Sequence, residues 1–124
     1  MTDARALIEQ FLETLERRDW QAWSELLDPE VVYELPQSRE RIRGRETYLR
    51  FNQEYPGDWH LRPRLVIADA GDGVAWFDWE VDGEAAGEGI AFFGVVGGAI
   101  VRVTDYWPEP YDPPAGREHL VERW

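Results

Sequence analysis

The run Gly97-Gly98-Ala99-Ile100-Val101-Arg102-Val103-Thr104-Asp105-Tyr106-Trp107 decides how this chain folds. A glycine pair opens it as a tight turn, and Pro108-Glu109-Pro110 closes it. Between them the residues alternate in the period of a strand, so that Val101, Val103, Asp105 and Trp107 share one face. That face holds a carboxylate between a valine and a tryptophan. Upstream, a strand from Gly87 to Val96 leads into the glycine pair, and Asp82-Gly83-Glu84 before it carries the Asp-Gly signal of a hairpin. Val74 to Val81 sets Ala75, Phe77, Trp79 and Val81 against Trp76, Asp78 and Glu80. Asp69-Ala70-Gly71-Asp72-Gly73 is another turn, preceded by a strand on which Leu61, Leu65 and Ile67 claim the inward face.

The N-terminal half has a different period. Leu7, Phe11 and Leu15 recur every four residues with Ile8 and Leu12 beside them, which predicts a helix with one apolar stripe, capped by Thr2 or Asp3. Asp19 caps a short second helix carrying Trp20, Trp23, Leu26 and Leu27, and Asp28-Pro29 stops it. Val31 to Leu35 reads as a short strand, and Pro36 to Gly44 as a polar loop. A third helix runs from Arg45 to about Tyr55, and Pro56-Gly57-Asp58 ends it. The tail from Ala115 to Trp124 is predicted to close the chain as a short helix. Helices gathered before a run of hairpin-linked strands predict a single α+β domain over residues 1–124. It is a roll whose curved, mostly antiparallel sheet packs on three N-terminal helices, with a cavity in the curve.

Composition narrows the chemistry. The 124 residues hold 25 acidic against 13 basic side chains, a formal charge of −12, and every basic residue is arginine. Such a field repels phosphates, so neither nucleic acid nor an anionic membrane is an expected partner. Without lysine there is no Schiff base or P-loop lysine, and without cysteine no thiolate nucleophile or Cys-based zinc site. Ser24 and Ser38 stand in no nucleophile elbow, and His60 and His119 form no His-Glu-x-x-His motif. Nothing in the sequence asks for a cofactor or a metal. No apolar stretch reaches membrane-spanning length, and the first residues lack a leader pattern, so a soluble cytoplasmic protein is expected.

Among candidate site residues, Asp105 is the most pointed. It is either a cavity-facing acid or base whose ionisation burial would hinder, or a structural acid bonded to an indole, a tyrosine or an arginine. Trp20, Trp23, Tyr33, Tyr48, Trp79, Phe92 and Trp107 are the aromatic candidates for the walls, with ordinary core filling as their alternative role. His60 lines the cavity only if its face of the strand, rather than that of Leu61, turns inward; otherwise it meets solvent. His119 reads as a surface residue. The arginines of residues 39–45 alternate with Glu40 and Glu46 and so are read as locally neutralised, although arginine forks also suit anions.

The final strand with its Asp-Tyr-Trp ending, Val31 to Tyr33 after Asp28-Pro29-Glu30, and Gly44-Arg45-Glu46 opening a helix together resemble the nuclear transport factor 2-like superfamily. Within it, the SnoaL-like and limonene-epoxide-hydrolase-like branch is the nearest look. The resemblance covers nearly the whole order of elements. It implies that Asp105 matches an acid, and Tyr33 a tyrosine, that epoxide hydrolases of this fold place around a reacting water. Trp79 and Val81 stand where those enzymes carry an arginine and an aspartate, and Leu35 replaces their asparagine. Leu35 also stands where ketosteroid isomerases place a general-base aspartate. What the resemblance leaves is the cyclase-like pattern of one acid in a hydrophobic pocket, with Tyr33 as its partner. It implies a cofactor-free isomerase, cyclase or hydrolase acting on a hydrophobic small molecule, or a non-catalytic homodimeric ligand-binding or protein-interaction module of the same fold. It also implies a homodimer paired through the outer face of the sheet.

Overall fold

Asp3 starts the first helix by accepting a hydrogen bond from the Ala6 amide at 2.8 Å, leaving α1 to run over Ala4–Arg17. These features belong to a computed structural model that describes residues 3–124; the alternative cap Thr2 lies outside them. The predicted stripe of Leu7, Ile8, Phe11, Leu12 and Leu15 is buried. Arg18 ends α1 in a left-handed conformation. Its guanidinium bonds the Leu15 and Trp59 carbonyls and lies 3.5 Å over the Trp59 ring, tying the helix end to the sheet.

The remaining elements are α2 (Trp20–Glu25), β1 (Leu27–Leu35), β2 (Glu40–Arg43), α3 (Arg45–Glu54), β3 (Trp59–Ala68), β4 (Asp72–Val81), β5 (Glu84–Val96) and β6 (Ala99–Tyr106). The six strands form one sheet in the order β2-β1-β6-β5-β4-β3. β1 and β6 run parallel and the other neighbouring pairs antiparallel, so the sheet is mixed. Both two-residue hairpins have positive φ at their central residues, Asp82-Gly83 and Gly97-Gly98, as the twist of the strands demands. The helices cover one face of this curved, open sheet, with α1 against β3 and β4 and α3 against β1 and β2.

Five expectations are corrected. Leu27 belongs to β1, which begins four residues before Val31, because the pre-proline bias that ends a helix at Asp28 also sets up extended chain. The polar loop contains β2, a charged edge strand that needs only Ile42 as its apolar anchor. On β3 a register shift between Pro63 and Leu65 turns the strand over, so Leu61 points inward while Leu65 and Ile67 face out and Val66 and Ala68 pack on the core. On β6 a similar shift gives the buried place to Ile100 rather than Val101. The tail forms isolated turns instead of a helix, since Leu120, Val121 and Trp124 find nothing to pack against and a short helix does not hold without packing.

Candidate active site

The inward alternation of β4, β5 and β6 meets α1 and α3 across a cavity of about 280 Å³. This lies at the small end of the roughly 300–1,000 Å³ usual for ligand sites. Nine of its seventeen lining residues are aromatic. Trp79 is the centre of this wall: Trp59 stacks on it at 5.3 Å, while Tyr55 and Trp107 stand edge-on at 5.9 and 5.1 Å. Gly89 makes the arrangement possible, because a Cβ there would lie 2.4 Å from Phe77 and 2.9 Å from Trp107.

Asp105 lies on the cavity wall, opposite Ala91 in the β5–β6 register. The Tyr33 hydroxyl donates to its Oδ2 at 2.5 Å. Oδ1 accepts no hydrogen bond among the described residues, and Asp105 lines the cavity. Burial pushes the Asp105 carboxyl up to about 7, and the Tyr33 hydrogen bond acts in the opposite direction without cancelling it. Tyr33 is itself held well above the usual phenol range, first by burial and then by the Asp105 charge, so it stays a donor. Tyr48 stacks on Tyr33 at 4.3 Å and is also raised by burial. Its hydroxyl has no hydrogen-bond partner among the described residues. Behind it, Trp23 packs edge-on at 4.9 Å.

Tyr33, Tyr48, Trp79, Asp105 and Trp107 are thus brought together, whereas four other candidates fall elsewhere. Trp23 is fully buried in the layer behind Tyr48, and Trp20 packs edge-on against Trp23, one layer further from the cavity. Phe92 faces outward at 47% exposure, because the alternation of β5 gives the inside to Ala91 and Phe93. His60 also turns away, opposite in sense to its inward neighbour Leu61. Its Nδ1 sits 2.7 Å from Glu16 and its Nε2 3.1 Å from Asp58.

The Glu16 contact, aided by Asp58, raises the His60 pKa, so this clasp between α1 and β3 favours the imidazolium. Its stabilising effect is present below the unfolded pKa and is lost as pH rises through the raised folded value. Comparing His60→Gln with wild type, the melting-temperature advantage of wild type should be largest near pH ~6 and shrink by pH ~9. A constant difference would mean that the clasp is neutral.

Phe51, Asn52 and Tyr55 also line the cavity, and their spacing from Tyr48 (one helical face) could have identified them from sequence. Glu40 lines it too, from the edge strand β2, whose charged residues read as a polar loop. Among the described residues, no group of three or more His, Asp or Glu side chains is placed to hold a metal ion, and no helix is long and apolar enough to cross a membrane.

Comparison with known proteins matches this geometry to a family. The profile of the SnoaL-like domain matches residues 8–105, ending on the cavity carboxylate. A crystal structure described as a candidate ketosteroid isomerase from Kribbella flavida DSM 17836 is 49% identical, with a TM-score of 0.93, over 97% of this chain and 88% of that one. One described as a candidate polyketide cyclase from Xanthomonas campestris pv. campestris is 25% identical, with a TM-score of 0.68, over 82% of this chain and 87% of that one. The uncharacterized protein YesE of Bacillus subtilis (strain 168) is 26% identical over 114 residues, 81% of this chain and 78% of its own. With the profile spanning most of its length, the chain belongs to the SnoaL-like domain family of the nuclear transport factor 2-like fold.

Proposed function

We propose that residues 1–124 form one SnoaL-like domain that binds a hydrophobic small molecule and moves a proton on it by cofactor-free acid/base chemistry, as an isomerase or cyclase does. The observation that carries this reading is Asp105 in the lining of an aromatic cavity, with Oδ2 held by Tyr33 and Oδ1 unbonded among the described residues; burial there pushes the carboxyl up to about 7. A group poised there accepts a proton when ionised and returns it when neutral, both at useful rates. Tyr33 fixes the carboxyl through Oδ2. A ketone bound beside Oδ1 would give up a proton from the carbon next to its carbonyl. The electron pair moves onto the carbonyl oxygen, where the unpartnered Tyr48 hydroxyl is the available donor. Return of that proton from Asp105 to a conjugated carbon completes an isomerisation; attack of the enolate carbon on a second carbonyl of the substrate forms a carbon–carbon bond and an alkoxide, which takes the proton from Asp105 to complete a cyclisation. The names of the Kribbella and Xanthomonas proteins are compatible with these two outcomes.

The test is solvent deuterium exchange into a panel of small aryl ketones. Wild type should exchange their α-hydrogens faster than buffer, and Asp105→Asn should not. A panel with no exchange above buffer, or an undiminished Asp105→Asn variant, would contradict the reading.

A second copy of the chain is proposed as a partner, on the outer face of the sheet. There Phe92 and Tyr106 stack edge-on at 5.9 Å and are 47% and 39% exposed, alongside Trp76, Leu65 and Ile67. Arg64, bonded to Asp78 and lying 4.8 Å over Trp76, supplies a polar rim. Sedimentation should give a dimer mass for wild type and a monomer mass for Phe92→Glu. An unchanged mass in the variant would count against this face.

A further inference from the structure

The charge balance of the cavity lining points to a more particular ligand. Among the described residues it contains two carboxylates, Asp105 and Glu40, one amide, Asn52, and no basic side chain. All thirteen arginines lie outside it, although arginine is the commonest partner for a carboxylate in this chain. The nearest ones are accounted for. Arg18 takes one side of the Trp59 ring without joining the lining, and Arg41 is paired with Glu34 on the opposite face of β2. Glu40 shares the cavity side of β2 with Ile42 and makes no ion pair among the described residues. Asn52 uses one N–H of its amide on the Tyr48 carbonyl, and its own carbonyl oxygen is a third acceptor.

Against these acceptors stand aromatic faces at several orientations. Around Trp79, the ring planes of Tyr55 and Trp107 are turned by 90° and 65° while Trp59 is nearly parallel. An aromatic face that borders a cavity carries a negative potential, which attracts a cation. The net charge of −12 adds a field that draws cations and rejects anions. An acceptor-rich aromatic chamber without a cation of its own is complementary to a ligand that brings one.

We propose that the ligand of this cavity is a small hydrophobic molecule bearing a cationic centre, a protonated amine or a quaternary ammonium. Its charge would be seated between the Asp105 carboxylate and the rings of Trp79 and Trp107, with Glu40 at the mouth drawing it in. The proposal rests on the reading of the cavity as a small-molecule site, and it does not require Asp105 to move a proton. Seating the cation favours the ionised carboxylate, so binding near neutral pH expels a proton from Asp105.

Three probes of one skeleton separate the charges: 4-tert-butylbenzylamine, 4-tert-butylbenzyl alcohol and 4-tert-butylbenzoate, titrated calorimetrically near pH ~7. The amine should bind about tenfold more tightly than the alcohol, and the benzoate more weakly than both. Asp105→Asn should abolish the advantage of the amine while leaving alcohol binding in place, which also shows that the variant is folded. Glu40→Gln, at an exposed position, should reduce it by about two- to threefold. Running the amine titration in two buffers of different ionisation enthalpy should reveal the released proton. Alcohol binding equal to or tighter than amine binding would overturn the cationic assignment and leave the cavity reading intact. No binding by any of the three would overturn both.

Discussion

Asp105→Asn is expected to make the protein more stable at pH ~8, and no more stable at pH ~4. The folded carboxyl titrates at about 7 against an ordinary 3.8, so the native state binds more protons than the unfolded state between those values. Stability therefore falls as pH rises through that interval and levels off above it. At 1.36 kcal/mol per unit, the loss reaches up to about 4 kcal/mol. Asparagine has the shape of the protonated acid and keeps an oxygen for the Tyr33 hydroxyl, so it avoids this cost. The same substitution removes the acid/base, and turnover should fall by about 10²- to 10⁴-fold. Urea denaturation at the two pH values beside the exchange assay checks both halves. A variant less stable than wild type at both pH values would mean that the ionised carboxylate holds the fold together, contrary to this account.

Trp23→Ala should carry the largest stability loss, about 3–5 kcal/mol. Trp23 is completely buried and touches Phe11, Trp20 and Tyr48 edge-on or tilted. The chain cannot close so large a void without moving α2. Because Tyr48 rests on Trp23 and Tyr33 rests on Tyr48, the loss should reach the site, loosening the Tyr33–Asp105 pair and weakening ligand binding. Trp23→Phe makes a useful contrast. It keeps a ring in place and deletes the indole N–H, which has no hydrogen-bond partner. An unpaired buried donor costs about 1–3 kcal/mol, so phenylalanine should be tolerated far better than alanine. A loss below about 1 kcal/mol for Trp23→Ala, measured by urea denaturation, would contradict this layered support.

Much of this architecture is legible in the sequence wherever periodicity is unbroken. The α1 stripe, the alternation of β4 and the two glycine turns follow from residue spacing alone, and the Asp-Tyr-Trp ending adds a family resemblance. The failures share a physical cause. Register shifts on β3 and β6 reverse the meaning of alternation partway along a strand, so alternation alone puts Leu65, Ile67 and Val101 on the wrong side. A bulge is a property of pairing with a neighbour, and no single strand announces it. The edge strand β2 reads as a loop because charged residues suit an edge as well as a loop. At the site, Asp105 stands on a regular stretch of β6, with Trp107 just past the strand's end, and could be singled out. Distinguishing Trp79 and Trp107, which line the cavity, from Trp20 and Trp23, which fill the layers behind it, requires knowing which helix lies nearer the sheet. Helical spacing shows a face without saying what lies across from it.

The account turns on one carboxyl group, and its titration can be observed directly. Carbon-13 NMR of the Asp105 side-chain carboxyl across a pH series should give a midpoint of about 7 in wild type. The midpoint should be higher still in Tyr33→Phe, where the hydrogen bond that lowers it is gone. A wild-type midpoint near the ordinary 3.8, unmoved by loss of the Tyr33 hydroxyl, would contradict it.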